Sequence, residues 1–277
     1  MQPTLLWQRL QQQLQQQIDL FPGVAGIAVK DLTDGNTISL NADEIFPTAS
    51  TIKIQILLQL LVRAAAGEVD LEQRIVVDPA QLVLGSGVLS YLDGPVELTL
   101  RNIANLMIMV SDNTATNICL EQAGLEATNQ LLRQLNLTQT VVRRKMMDHL
   151  AAVREQENVS TPGELVAILE ALYNGKPDPS VAEACLTILK KPKQGFIDKA
   201  LPENIACANK PGWVDRAMCD AGLVYLPRRP YILAIMTKHG MCDKLEQEAF
   251  IVNCTRIIHE TMASLDRSNQ FGRSVYE

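Results

Sequence analysis

The chain has 277 residues, enough for one large domain or two closely packed ones. It is 47% hydrophobic with a mean hydropathy of +0.04, so it can bury a core. A formal charge of -6 and a pI of about 5.2 argue against a nucleic acid or an anionic membrane as partner.

The basic residues are scattered, and the tightest group, Arg143-Arg144-Lys145, is too short for a nucleic-acid patch. Met1-Gln2-Pro3-Thr4 leads into a glutamine-rich stretch where a leader would carry a basic and then an apolar region. The longest apolar runs fall short of a membrane span. Six cysteines (Cys119, Cys185, Cys207, Cys219, Cys242, Cys254) include no C-x-x-C pair and read as free buried thiols. A reducing compartment, hence the cytoplasm, is the expected location.

Leu6, Leu10, Leu14 and Ile18 repeat every four residues among glutamines, which predicts an amphipathic helix covering a sheet in preference to a coiled-coil contact. Val24 to Asp31 reads as a strand and Asn36 to Leu40 as its hairpin partner, with Thr33-Asp34-Gly35 as the turn. From Thr51 to about Ala123 the pattern is helical. Ile52 to Val62 is apolar nearly all round, as in a helix at the centre of a domain.

Gln81 to Gly94 is punctuated by glycines and reads as loop. Thr99 can cap a helix from Leu100 to Val110, and Ser111-Asp112-Asn113 interrupts before Thr114 to Ala123 resumes and stops at Gly124. Leu125 to Leu135 is a further helix. Val141 to Ser160 is charged and irregular, longer than a connection needs. Thr161-Pro162-Gly163-Glu164 opens another helix, and Ser180 to Leu189 forms one more. Strands return at Ile205 to Gly212, Met218 to Leu226 and Tyr231 to Thr237, and Leu245 to Leu265 closes as a long helix.

The early strands must pair with the late ones. The expectation is an α+β fold: a five-stranded antiparallel sheet flanked by helices (residues 1–42 and 188–277), with an all-helical insertion (43–187) and a cleft between the two.

The chemistry concentrates where Phe46-Pro47-Thr48-Ala49-Ser50-Thr51-Ile52-Lys53 runs into the apolar helix. A hydroxyl and an amine three residues apart lie on one helix face, near unpaired backbone N–H groups and the positive end of the dipole. That arrangement suits a nucleophile with an adjacent proton acceptor and an oxyanion site. Ser111-Asp112-Asn113 and Lys210-Pro211-Gly212 follow in order.

Together these segments resemble the active-site serine penicillin-recognising family, and most closely the class A β-lactamases, with S-x-x-K, S-D-N and K-T-G motifs. The resemblance covers roughly residues 20 to 265 and extends to Phe46 and Asn117. It implies Ser50 as nucleophile, Lys53 as proton acceptor or relay, and Ser111 as donor to the leaving nitrogen. Lys210 would attract a substrate carboxylate, and Asn113 would hold the substrate's side-chain amide. The backbone N–H groups of Ser50 and of Trp213, after Gly212, would form the oxyanion hole, while Asp112 orients its own loop. The implied partner is a small-molecule substrate, a β-lactam or related amide or ester, with no cofactor; a monomer is favoured, though the sequence does not fix the oligomeric state.

Two departures bear on mechanism. Pro211 stands where the family has a threonine or serine, so it lacks both a carboxylate-binding hydroxyl and an N–H, and it is tolerable only on a sheet edge. Counting back from Pro162 puts Lys145 where class A enzymes carry the glutamate that activates the deacylating water. Lysine is not a general base at neutral pH unless strongly perturbed. Asp148, Glu155 or Glu157 could substitute if the loop were rerouted. Impaired deacylation is therefore expected, with a D-alanyl-D-alanine carboxypeptidase or amidase, or a non-catalytic binding module, as the alternatives. His149, His239 and His259 stand alone, without metal-ligand spacing.

Overall fold

A computed structural model describes residues 4–274. The reading of a missing leader at residues 1–3 lies outside them. Contacts divide the chain into two units, Met1–Ala49 with Thr161–Leu169 and Gly195–Glu277, and Ser50–Ser160 with Glu170–Gln194. The division falls after residues 49 and 194, where the sequence suggested 42 and 187. Residues 161–169 join the first unit because Gly163 N–H donates to the Ala42 carbonyl (2.9 Å) and Pro162 lies against Gly26.

The first unit is built on a five-stranded antiparallel sheet in the order Thr37–Leu40, Val24–Asp31, Tyr231–Lys238, Ala217–Val224, Cys207–Val214. The early hairpin joins the late strands through Val24 to Asp31, which run opposite Lys238 to Tyr231, while Thr37–Leu40 pairs with Val24–Asp31 at the edge. The first hairpin closes as its residues dictate. Gly35 takes φ +72°, Thr33 N–H donates to the buried Asp31 carboxylate (2.8 Å), and Arg229 pairs with both Asp31 and Asp34.

Helix Thr4–Leu20 lays Trp7, Leu10 and Leu14 into the same core as Ile27, Val29, Leu233 and Ile235, so its apolar stripe does cover the sheet. The last helix, Lys244–Asp266, adds Phe250, Ile251, Cys254 and Ile258 to that core and is started by a reciprocal Asp243–Glu246 capping box. A one-turn helix, Phe196–Ala200, had no periodic signature and was not anticipated.

The second unit is centred on helix Lys53–Ala65, whose residues 53–61 are all buried, and helices Leu100–Met109, Asn113–Ala123, Leu125–Gln134 and Pro179–Leu189 surround it. Thr99 caps as expected, accepting from Asn102 N–H (3.2 Å), and Gly124 ends its helix at φ +78°. A small antiparallel pair, Arg74–Val77 with Val96–Thr99, lies in what the sequence suggested was helical and loop territory. Its four-residue strands are separated by a glycine-rich connection and half exposed, which leaves little pattern to read.

All six cysteines are free, five of them buried. Burial pushes the Cys254 thiol up to about 12. No helix among the described residues is long and apolar enough to cross a membrane.

Two predictions test this packing. Leu14→Ala removes a side chain with no exposure and should cost about 2–4 kcal/mol in urea unfolding, while Gln12→Ala stays within about 0.5 kcal/mol. His259 is buried against Tyr231, whose hydroxyl lies 3.0 Å from Nδ1; desolvation first, and then Arg267, holds its pKa below the ordinary value. The unfolded chain therefore binds this proton more readily, and stability falls as pH drops through and below 6.5. The urea midpoint should decrease from pH 7.5 to 5.5 by less in His259→Asn than in the native protein.

Candidate active site

Ser50 sits in a 3₁₀ turn, Ala49–Ile52, that runs straight into helix Lys53–Ala65. Ala49 takes φ +46°, turning the chain sharply into the helix. Thr51, Ile52 and Lys53 are buried while Ser50 keeps partial exposure, so the hydroxyl stands at the open end of an otherwise enclosed helix head.

Lys53 is wholly buried and reaches Ser111 and Asn113. Its Nζ donates to the Ser111 carbonyl (2.7 Å), the Ser111 Oγ (3.0 Å) and the Asn113 Oδ1 (3.2 Å). These oxygens give the buried amine hydrogen-bond acceptors and offset part of the desolvation that burial imposes. Ser111 presents both carbonyl and hydroxyl to one amine, and it adopts φ +55°, a left-handed conformation that costs a non-glycine residue about 1–2 kcal/mol.

Asp112 works on its own loop. Its carboxylate caps the next helix through Ala115 N–H (2.8 Å) and accepts from Val88 N–H (2.7 Å) and Leu89 N–H (2.9 Å). Gly87 makes that approach possible: a Cβ there would lie 2.2 Å from the Asp112 Oδ2. Asn113 is anchored the same way, its Nδ2 donating to the Leu84 carbonyl (3.1 Å).

In the 141–160 stretch, Lys145 turns outward and pairs with Glu121. Met146 is buried, and its backbone is clasped by Asn117, which accepts from Met146 N–H (2.7 Å) and donates to its carbonyl (3.2 Å). Asn117 served in the sequence only as a flanking match. Its signal was the four-residue spacing from Asn113, which puts both amides on one helix face.

Of the three acidic candidates in this stretch, Asp148 caps helix His149–Val153 through Ala151 N–H (2.9 Å), and Glu157 forms a two-pronged pair with Arg144 (3.0 and 2.8 Å). Glu155 is exposed at φ +59°.

Lys210, Gly212 and Trp213 lie in the other unit, on the edge strand Cys207–Val214. Pro211 is thus at a sheet edge, as its missing N–H requires. Lys210 is buried and its Nζ donates to the Pro211 carbonyl (2.9 Å). On the strand, Asn209 Nδ2 donates to Asp198 Oδ2 (3.0 Å) and lies 3.3 Å from both oxygens of the buried Asp220, which also accepts from Phe196 and Ile197 N–H. Trp213 is 44% exposed with the Lys244 ammonium 4.4 Å from its ring centroid. Among the described residues no group of three His, Cys, Asp or Glu side chains is placed to hold a metal ion.

The model of the beta-lactamase enzyme family matches residues 9–262. The beta-lactamase BRO-1 of Moraxella catarrhalis is 25% identical over 215 residues, 76% of this chain and 68% of that protein. A solved beta-lactamase from Sphaerobacter thermophilus is 30% identical with a TM-score of 0.86, covering 93% of this chain and 98% of its own. A variant of PBP-A, solved as an acyl-enzyme complex with penicillin G, is 27% identical with a TM-score of 0.83, covering 92% and 97%.

The left-handed backbone of Ser111 gives a direct test. Ser111→Gly should be more stable than Ser111→Ala by about 1 kcal/mol in urea unfolding, because glycine relaxes the φ that alanine must keep.

Proposed function

Since the chain belongs to the beta-lactamase enzyme family, we propose that it is an active-site serine hydrolase that forms an acyl-Ser50 intermediate with β-lactams or related amides and esters. The observation that carries this reading is the hydrogen-bonded cluster of Lys53, Ser111 and Asn113 at the head of the helix that Ser50 begins. Ser50 Oγ bonds to the carbonyl carbon as its proton passes into the Lys53–Ser111 network. Ser111, 3.0 Å from Lys53, supplies a proton to the leaving nitrogen as the C–N bond breaks. Following the family pattern, Asn113 holds the substrate's side-chain amide and Lys210 attracts its carboxylate. The N–H groups of Ser50 and of Trp213, next to Gly212, meet the oxyanion.

Deacylation is slow in this reading. Lys145 takes the place of the water-activating glutamate, and its charge is committed to Glu121. The Asp148 and Glu157 carboxylates are already engaged in capping and in the Arg144 pair. Pro211, lacking a hydroxyl, weakens recognition of a penicillin-like carboxylate.

A second reading, a penicillin-binding D-alanyl-D-alanine carboxypeptidase or amidase, is favoured by the same engaged carboxylates and by the likeness to PBP-A.

Intact-mass spectrometry after incubation with penicillin G tests the proposal. The native protein should gain the full mass of the β-lactam and hold it for hours, and Ser50→Ala should gain nothing. Absence of both an adduct and Ser50-dependent turnover of chromogenic cephalosporins overturns it. Release of D-alanine from peptide would select the second reading.

A further inference from the structure

A second cavity lies wholly within the sheet unit, in the groove between the end of helix Thr4–Leu20 and the first turns of helix Lys244–Asp266. Its volume of about 470 Å³ is within the range of small-molecule sites. The long helix contributes Glu246, Ala249, Phe250 and Asn253, whose three- and four-residue spacing puts them on one face. The facing wall is Leu20 and Phe21, and the Phe21 and Phe250 ring centroids lie 4.7 Å apart. Met241 and Cys242 close the groove. They are tied to the facing wall where Met241 N–H donates to the Pro22 carbonyl (2.8 Å).

The walls are apolar and their electrostatics are one-sided. Leu20 and Met241 are each 78% exposed, and with the two phenyl rings they offer water an apolar surface. At one end stands the Glu246 carboxylate, held in the capping box by accepting from Asp243 N–H (3.1 Å). Asp243 adds a second negative charge beside it. Helix Thr4–Leu20 ends here with no basic residue in its last turn, so no side chain of that turn offsets the negative end of its dipole. Cys242 registers this field: its thiol is pushed up by desolvation first, and then by Glu246. Among the described residues that line the cavity there is no lysine or arginine. The two basic residues closest in the sequence of the long helix are engaged elsewhere. The Lys244 ammonium lies 4.4 Å from the Trp213 ring centroid, and Arg256 donates to Asn253 Oδ1 (3.0 Å) at the far end of the groove.

We propose that this cavity binds an amphipathic organic cation, an ammonium carried on an aryl or alkyl body, with its charge at Glu246 and its body along Ala249 and the Phe21–Phe250 pair. Aromatic faces and a carboxylate together favour such a cation over neutral or anionic molecules of the same shape. The small side chain of Ala249 leaves the room that a leucine would fill. None of the residues assigned to acyl transfer takes part, so the site stands or falls independently of the acyl-Ser50 reading.

The test is a ligand-observed NMR titration with phenylbutylammonium, phenylbutanol and phenylbutyrate at low salt, on the native protein, Glu246→Gln and Ala249→Leu. Glutamine keeps a capping acceptor and Ala249 is exposed, so both variants should show native circular dichroism. The native protein should bind the ammonium about three- to tenfold more tightly than the alcohol, and the carboxylate most weakly. Glu246→Gln should bring ammonium and alcohol to within about twofold of each other. Ala249→Leu should abolish saturable binding of both.

Absence of saturable binding to the native protein overturns the site, as does equal affinity for ammonium and alcohol. A preference that survives Glu246→Gln, or binding that survives Ala249→Leu, also overturns it.

Discussion

The buried amine of Lys53 places tight demands on its surroundings. An amine removed from water at the start of an apolar helix is tolerated only if each N–H finds an acceptor. Ser111 offers it both a carbonyl and a hydroxyl oxygen, from a left-handed backbone. Beside it, the Asp112 carboxylate gathers three backbone N–H groups, and Gly87 supplies the room. Around one lysine side chain, a serine, an aspartate, an asparagine and a glycine from two separate segments are thus tied together.

Much of this architecture was legible in the sequence, and for identifiable reasons. The helices at 4–20, 100–109, 125–134 and 244–266 announce themselves by periodicity, by Thr99 and Gly124 at their ends, and by length. The central sheet was legible because Tyr231–Lys238 is a run of β-forming residues and the first hairpin carries Asp34-Gly35. The pair at 74–77 and 96–99 and the single turn at 196–200 were not, because four or five residues hold too few repeats of any period. At the candidate site, residue types and order were legible: Ser50, Lys53, Ser111, Asn113 and Lys210 stand in motifs. Partners were not. That Lys145 pairs with Glu121 while Asn117 grips the backbone of Met146 depends on which way two consecutive residues turn, which no local pattern encodes.

The parts of the helical unit differ in how firmly they are held. Ser50's helix head is enclosed by buried residues and fixed by charge-assisted hydrogen bonds, which are roughly twice as strong as neutral ones. The 141–160 stretch is fixed differently, through the Arg144–Glu157 pair and through Asn158, which binds the backbone of Arg143 and Arg144. Its Asp148 and Glu157 carboxylates are spent on holding the loop's shape. A loop of this kind supplies form and apolar surface more readily than a mobile base.

Pro211 has a consequence beyond substrate recognition. An edge strand offers a row of backbone donors and acceptors on which another chain can add a strand, and sheet proteins carry devices that discourage this. A proline in the middle of Cys207–Val214 deletes one donor from the row. Next to it the buried Lys210 bonds the Pro211 carbonyl, so an acceptor is occupied as well. The substitution that removes a hydroxyl from the family motif therefore also makes this edge a poor template for intermolecular β-pairing, and lends the chain some resistance to aggregation.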